Sequence, residues 1–433
     1  MSMLKGIFSK GLVTIILLTS FGVAFAQSGA YTGYTPYSIY GIGELNNEGS
    51  AHNNAMGGVG IATRNRKYIN TLNPASVTAR DSLSFMADLG LLQTNLLLQQ
   101  TGKMNVNNNV NIQNIAMSFP VYKSSAMMLG IAPFSSIGYK TMGLVEDESI
   151  ISETGNIVDV WSGDGGLNRG FVAAGVTFWK KLSIGAEYDV FFGKLTKDYT
   201  RTLSNKNYSG YSGGNNLTLR GQTFKGGLQY EQNIGRYTLG FGATYRMQTK
   251  LRGYVETYAD TLSVTDTLNL ASGPRLGSEL GVGISFKNGE IWSFEIDYTR
   301  SDWTNGKFDE TRGLASSSLY GSSFTASVAQ TVRAGFEITP NPNDIRYYMR
   351  KCTYRAGFYY KQAYYKYDGN TINTIGLTLG ATFPIFRLSN GLTVGMEIGQ
   401  RGSLQNNMVR ERFINFSAGF NLYDIWFRKA RYN

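Results

Sequence analysis

The chain has 433 residues, with 41 Lys and Arg against 30 Asp and Glu, for a formal net charge of +11. Charged residues make up only 16% of it while Gly 52, Tyr 28 and Phe 24 run high, whereas a soluble domain carries about 25% charge. The lone Cys352 excludes a disulfide framework, and one His with one Cys cannot build a four-ligand zinc site.

Residues 1–26 read as a secretory signal. Lys5 and Lys10 precede an apolar run from Leu12 to Phe25 that closes on Ala24-Phe25-Ala26, so cleavage is expected before Gln27. That run is too short for a membrane helix, which needs about 20 apolar residues. Losing the two lysines lowers the formal charge from +11 to +9.

Residues 27–80 contain no run able to pair in a sheet. They hold "NNAMGGVGIATRNRKYINTLNPAS" (Asn53–Ser76), a compact stretch rich in turn residues. Pro74 locks φ and has no N–H, so Asn73-Pro74 stops regular structure.

From residue 81 onward the chain alternates. Leu280, Val282, Ile284 and Phe286 interleave with Glu279, Gly281, Gly283 and Ser285, and the pattern recurs at 237–248, 374–385 and 392–399. A period of two sets one apolar face against one small, polar face. Strands are expected near 82–99, 110–121, 126–139, 169–179, 182–199, 217–232, 237–256, 274–287, 291–302, 326–338, 351–367, 371–384, 391–401 and 409–423. Tight connections alternate with long ones at 140–168, 200–216, 257–273 and 303–325. Short turns facing long loops are the signature of an outer-membrane barrel, and lipid forces the sheet to close. The expected fold is all-β: a fourteen-stranded antiparallel transmembrane barrel at 81–427. A lumen of that width needs filling, so 27–80 is read as an N-terminal hatch and 428–433 as a short basic periplasmic tail.

Within the hatch, "AMGGVGIA" (Ala55–Ala62) followed by Asn73-Pro74-Ala75 resembles the FadL/TodX family. Members are outer-membrane channels for long-chain fatty acids and aromatic hydrocarbons. The resemblance implies a hatch motif at Gly57, Gly58, Gly60, Asn73, Pro74 and Ala75. It also implies a kinked third strand that opens a side window. Here the third strand carries Pro133, which removes a ladder donor and breaks pairing locally. Ile131, Pro133 and Phe134 are therefore the candidate lateral gate, with a tolerated bulge as the bland alternative. The ending, Gly419–Asn433, is similar to Bacteroidota members with a basic tail.

Charged residues fall on the lumen phase. If 257–273 is a simple hairpin, Arg246 lies opposite Glu279 with Asp297 one strand further. That candidate cluster holds the hatch in place, and its mixed signs argue against an ion-selective pore. No catalytic residues are expected, because His52 has no nucleophile motif near it. The Gly-x-Gly repeats at Gly240/Gly242 and Gly281/Gly283 lie in strands, not before a helix. No cofactor, metal or nucleic acid is expected. Cations gather at Arg64, Arg66 and Lys67, at Arg346, Arg350 and Lys351, and at Arg428, Lys429 and Arg431. They suit outer-membrane lipid, or a periplasmic or lipoprotein partner at the 339–350 turn and the basic tail.

Two functions fit. The preferred one is passive uptake of a hydrophobic small molecule through lumen and lateral gate. The alternative is a scaffold subunit of an outer-membrane secretion or assembly complex. A plugged lumen with no through-path favours the second.

Overall fold

The computed structural model describes residues 34–425 apart from 81–82, 101, 123, 146, 206, 260–261, 271–272, 315–322 and 386–389. The expected signal peptide and basic tail lie outside these residues. No helix among the described residues is long and apolar enough to cross a membrane. The spanning elements are strands.

Fourteen strands form the wall: β1 (Ser84–Gln100), β2 (Lys103–Tyr122), β3 (Ser125–Leu144), β4 (Ile157–Phe178), β5 (Leu182–Leu203) and β6 (Tyr211–Ile234). Next come β7 (Tyr237–Arg246, resumed at Arg252–Ala259), β8 (Leu262–Asn269, resumed at Ser278–Asn288), β9 (Trp292–Asp302) and β10 (Phe324–Ala326, resumed at Val328–Ile338). The last four are β11 (Thr353–Tyr367), β12 (Asn370–Pro384), β13 (Gly391–Arg401) and β14 (Arg410–Ile425). Consecutive strands pair antiparallel. β14 then closes on β1, from Ser84↔Ile425 to Gln99↔Arg410. We call the end where β1 starts the near end.

The alternation explains the burial. Leu280, Val282 and Ile284 point outward and exposed, while the Glu279, Gly283 and Ser285 phase points inward. Outward apolar side chains recur on strand after strand, including Leu377, Leu379, Ile398 and Phe416. A continuous apolar band of that kind far exceeds the few-hundred-Å² patch of a soluble monomer and is the face a barrel offers to lipid.

The far-end loops are shorter than expected because the strands run on. β3 reaches Leu144 and β4 starts at Ile157, so the expected loop at 140–168 shrinks to a connection that holds a helix, Glu148–Thr154. The 257–273 stretch is mostly hairpin, with Tyr254↔Asn269 and Glu256↔Thr267 in register. β2 begins at Lys103 instead of near 110. Its asparagine run (Asn105, Asn107–Asn109) is poor in β-propensity, but it is held by β1 through pairs such as Leu98↔Asn105. Of the connection expected at 303–325, residues 303–314 lie outside strands and β10 opens at Phe324, while 315–322 lie outside the described residues.

Residues 34–80 lie against the inward faces of the strands. Their backbone comes so close that the inward glycines are a geometric need. A Cβ at Gly242 would collide with the Ile61 carbonyl, and one at Gly357 with the Gly57 amide. At these positions the lumen glycines are the imprint of the segment, whereas Gly376 and Gly399 make room for the barrel's own Tyr359 and Phe413.

Candidate functional site

The Ala55–Ala62 stretch is fixed by carboxylates of β9. Asp297 Oδ2 accepts hydrogen bonds from the backbone N–H groups of Gly60 and Ile61, at 2.8 and 3.0 Å. Glu295 Oε1 accepts those of Ala62 and Thr63, at 2.7 and 3.0 Å. Four consecutive amides that could not enter any ladder are satisfied by two side chains spaced two apart on one strand. Gly57 N–H donates to Thr378 Oγ1 at 2.8 Å, and Gly57 and Gly58 sit at φ +74 and +80, where a side chain would be strained. The four bonds to Asp297 and Glu295, ending on carboxylates, belong to the charge-assisted class that is about twice as strong as neutral ones.

Asn73 is fully buried and joins three pieces of chain. Its amide donates to Ile61 O at 2.8 Å and to Leu228 O at 3.2 Å, while its oxygen accepts from Ala75 N at 3.0 Å. Pro74 opens the 3-10 turn Pro74–Thr78, where its missing N–H is no loss. Asn-Pro-Ala is therefore a cap that also ties the segment to β6.

Of the expected charge cluster, Arg246 and Glu279 are register partners and their charges lie 3.9 Å apart. Asp297 lies one strand further and lines the same cavity. It faces Gly283 and Arg333 across the ladders and spends one oxygen on Gly60 and Ile61. The partner that sequence reasoning missed is Glu48, which meets Arg246 at 2.5 Å and both Arg169 and Lys225 at 3.4 Å. Arg169 reaches Glu187 at 3.3 Å, and Arg246 reaches Asp189 at 3.4 Å. Burial would raise the Glu48 carboxyl, but Arg169, Arg246 and Lys225 together hold it well below the usual 4.5. A little further along, Glu44 pairs with Arg401 at 3.2 Å and Lys361 at 3.4 Å. Only the run Gly49-Ser50 just after Glu48 hinted at a turn there.

His52 is buried, its ring stacked on Tyr68, with Nε2 3.3 Å from Glu337 Oε2. Burial, reinforced by Arg355, lowers its pKa well below 6.5, so the imidazole is neutral and the Glu337 contact is not an ion pair at neutral pH. Among the described residues no cluster of His, Cys, Asp and Glu could hold a metal.

Toward the far end the lumen turns apolar and is filled by the chain itself. Tyr40 and Ile42 are 0% exposed. The Tyr40 ring lies 5.6 Å from Phe324, stacked, and 5.8 Å from both Phe308 and Tyr365. Tyr364 Oη donates to Gly43 O at 2.7 Å, locking that segment to β11. Nearer the carboxylate cluster a cavity is lined by Glu48, Lys225, Arg246, Glu279, Asp297 and Arg333 together with Phe134, Phe191 and Trp303.

Ile131, Pro133 and Phe134 lie where β3 changes partners. The β2–β3 ladder runs from Tyr122↔Ser125 to Ile115↔Ile131 and ends there. The β3–β4 ladder continues but slips a register between Pro133 and Ser135. On the inner side Glu44–Leu45 pairs with Ser136–Ser135, and Asn46 N donates to Phe134 O at 3.0 Å. Phe134 packs edge-on against Phe191 at 4.7 Å.

A family model described as BamG matches residues 3–433. No curated protein matches the sequence. Solved structures are similar in fold. The Ralstonia pickettii toluene transporter TbuX aligns with a TM-score of 0.58 at 17% identity, over 87% of this chain and 98% of that one. The P. putida toluene transporter TodX gives 0.55 at 16%, over 89% and 100%. The CymD monoaromatic hydrocarbon channel gives 0.54 at 16%, over 88% and 98%. At such identities the likeness is one of fold: this chain is a FadL/TodX-like barrel.

Proposed function

We propose, for a chain that belongs to the BamG family, a self-plugged outer-membrane barrel that acts as a scaffold subunit of an outer-membrane assembly or secretion complex. The observation that carries this reading is the far-end lumen. The space where a hydrophobic cargo would sit is occupied by Tyr37–Ile42, buried among Phe308, Phe324, Tyr364 and Tyr365. Ligand pockets are mostly apolar with few polar groups. The remaining cavity has apolar wall from Phe134, Phe191 and Trp303, but it also carries six charged side chains, Glu48, Lys225, Arg246, Glu279, Asp297 and Arg333, more than the few polar groups of such a pocket. Residues 34–80 act in this reading as a fixed hatch, held by backbone-to-carboxylate bonds and buried ion pairs.

The second reading, passive uptake of a hydrophobic small molecule, has one observation in its favour. The β2–β3 ladder ends at Ile131, beside Pro133, which is where a side window would open. For uptake, Tyr37–Ile42 has to leave its pocket and Glu44–Leu45 has to leave β3. The experiment is gentle native extraction of the tagged protein, with mass spectrometry of everything retained. Stoichiometric protein partners and no retained apolar small molecule are expected. A lone barrel carrying apolar molecules would overturn the scaffold reading in favour of uptake.

A further inference from the structure

Among the described residues the near-end connections Phe178–Leu182, Ile234–Tyr237 and Asn288–Trp292 are tight, whereas Thr339–Cys352, between β10 and β11, is long. It is built, not loose. Asp344 Oδ1 accepts from the N–H groups of Arg346 and Tyr347, both at 2.8 Å, and Asn341 N–H donates to Arg350 O at 2.8 Å. On this frame Ile345 is 99% exposed, and Tyr347, Tyr348 and Met349 are exposed beside it. Three cations (Arg346, Arg350 and Lys351) against one carboxylate (Asp344) leave the turn at +2. Each cation lies near a tyrosine face: Arg346 and Arg350 at Tyr347, 5.2 and 4.8 Å from the ring, and Lys351 at Tyr348, 5.8 Å away.

The position of the turn says what covers it. It leans on the barrel's outer wall: outward-facing Tyr354 donates to Met349 O at 3.1 Å, and Tyr348 Oη donates to Pro384 O at 2.9 Å. Tyr354 is the register partner of Ile338, next to an outward aromatic row. Tyr237 meets Phe286 at 5.1 Å, Phe286 meets Trp292 at 5.5 Å, and Trp292 meets Phe336 at 6.4 Å. A row of this kind, crossing β7 to β10 at one height, marks the level of the lipid headgroups. Exposed Ile and Met, amphipathic Tyr and long cations just beyond that level suit an interface where apolar tips dip into acyl chains and cations meet phosphate.

We propose that Thr339–Cys352 is a binding site for anionic phospholipid headgroups of the near-end leaflet, with Arg346, Arg350 and Lys351 on the phosphates and Ile345 and Met349 in the acyl region. The site follows from the barrel's place in a bilayer, and stands whichever of the two functions holds. It orients the barrel at one side of its rim and gathers anionic lipid beside β10 and β11.

Two measurements test it. Full-length protein is reconstituted in nanodiscs of phosphatidylethanolamine with a fixed fraction of phosphatidylglycerol, and retained lipid is counted by native mass spectrometry. The variant R346Q/R350Q/K351Q should bind phosphatidylglycerol about a hundredfold more weakly and retain correspondingly less of it, since each of the three basic groups near an anionic surface is worth about fivefold. Equal retention overturns the proposal. The second measurement needs no loss of charge: a photo-crosslinking residue at position 345, activated in intact cells. A lipid adduct supports the site. A protein adduct means the turn docks a polypeptide, and no adduct means it stands in water; either overturns it.

Discussion

Glu48 and Arg246 meet at 2.5 Å although 198 residues separate them in the chain. One carboxylate from the N-terminal segment thereby neutralises cations from β4, β6 and β7 at once, since Arg169 and Lys225 share it. Without it Arg169 and Arg246 keep Glu187, Asp189 and Glu279, but the buried Lys225 ammonium loses its carboxylate and faces a large desolvation penalty. Glu48→Ala should therefore loosen the segment by about 3–5 kcal/mol, the range for breaking one side of a buried pair. The wall keeps its ladders, so heat-modifiable mobility on gels should persist. Protease cleavage within 34–80 should rise, and unchanged cleavage would mean that Glu48 does not hold the segment.

The same groups make seating of the segment depend on pH, in two windows. His52 is neutral in the fold, its pKa pushed below 6.5 by burial and by Arg355. A depressed histidine contributes stability that is full above 6.5 and falls as pH drops below it, because only the released state takes up the proton. Glu48 is held below 4.5, so its contribution is full above 4.5 and is lost as pH falls further. Protease accessibility of 34–80 should rise in two steps from pH 7.5 to 3.5. His52→Gln should remove the upper step and leave the lower one, and a single step in the native protein would contradict the assignment.

Wall and segment were legible to different degrees, for physical reasons. A period of two is local, so Leu280–Phe286 or Leu392–Ile398 announces a strand without any knowledge of its neighbour. Arg246 opposite Glu279 followed from the same period once 257–273 was taken as a hairpin. The same phase put Asp297 on the lumen face one strand further, but phase tells which face a residue is on, not which chain lies against that face. Its partners, Gly60 and Ile61, are 237 and 236 residues away. Glu48 lies in no periodic element, and the Gly49-Ser50 beside it marks a turn without saying which face or partner the carboxylate meets. The asparagines at the start of β2 disfavour a strand by themselves and are recruited by β1.

Asp297 offers a sharper test than charge removal. Asp297→Asn keeps an oxygen able to accept from Gly60 and Ile61, while Asp297→Ala leaves both amides buried without an acceptor. Each orphaned donor costs about 1–3 kcal/mol. Thermal unfolding should rank native above Asn above Ala, with the larger gap between Asn and Ala. Equal effects of the two substitutions would show that the charge, not the acceptor, secures this stretch.

Gly357 should tolerate no side chain. Its inward face meets the Gly57 amide, so the Cβ of Gly357→Ala must push the backbone of the segment away. Overpacking of that kind costs about 1–3 kcal/mol. The loss should fall on seating of 34–80 and spare the ladder, where Gly357 pairs with Thr378 and Gly335. Raised conductance of the reconstituted barrel with normal assembly is the expected readout, and an unaltered conductance would separate plug from pore.

Tyr40 tests the filled lumen most directly. Its ring is 0% exposed and packed among Phe308, Phe324, Tyr364 and Tyr365. Tyr40→Ala should cost about 3–5 kcal/mol, as large-to-small core changes do, and leave an apolar cavity that stays dry. Such cavities bind small aromatic molecules, so toluene should raise the melting temperature of the variant and leave that of the native protein unmoved. Toluene stabilising the native barrel as strongly would mean that Tyr37–Ile42 yields its place to a ligand. The aromatic pocket would then be a binding site with a displaceable plug, and uptake would displace scaffolding as the function.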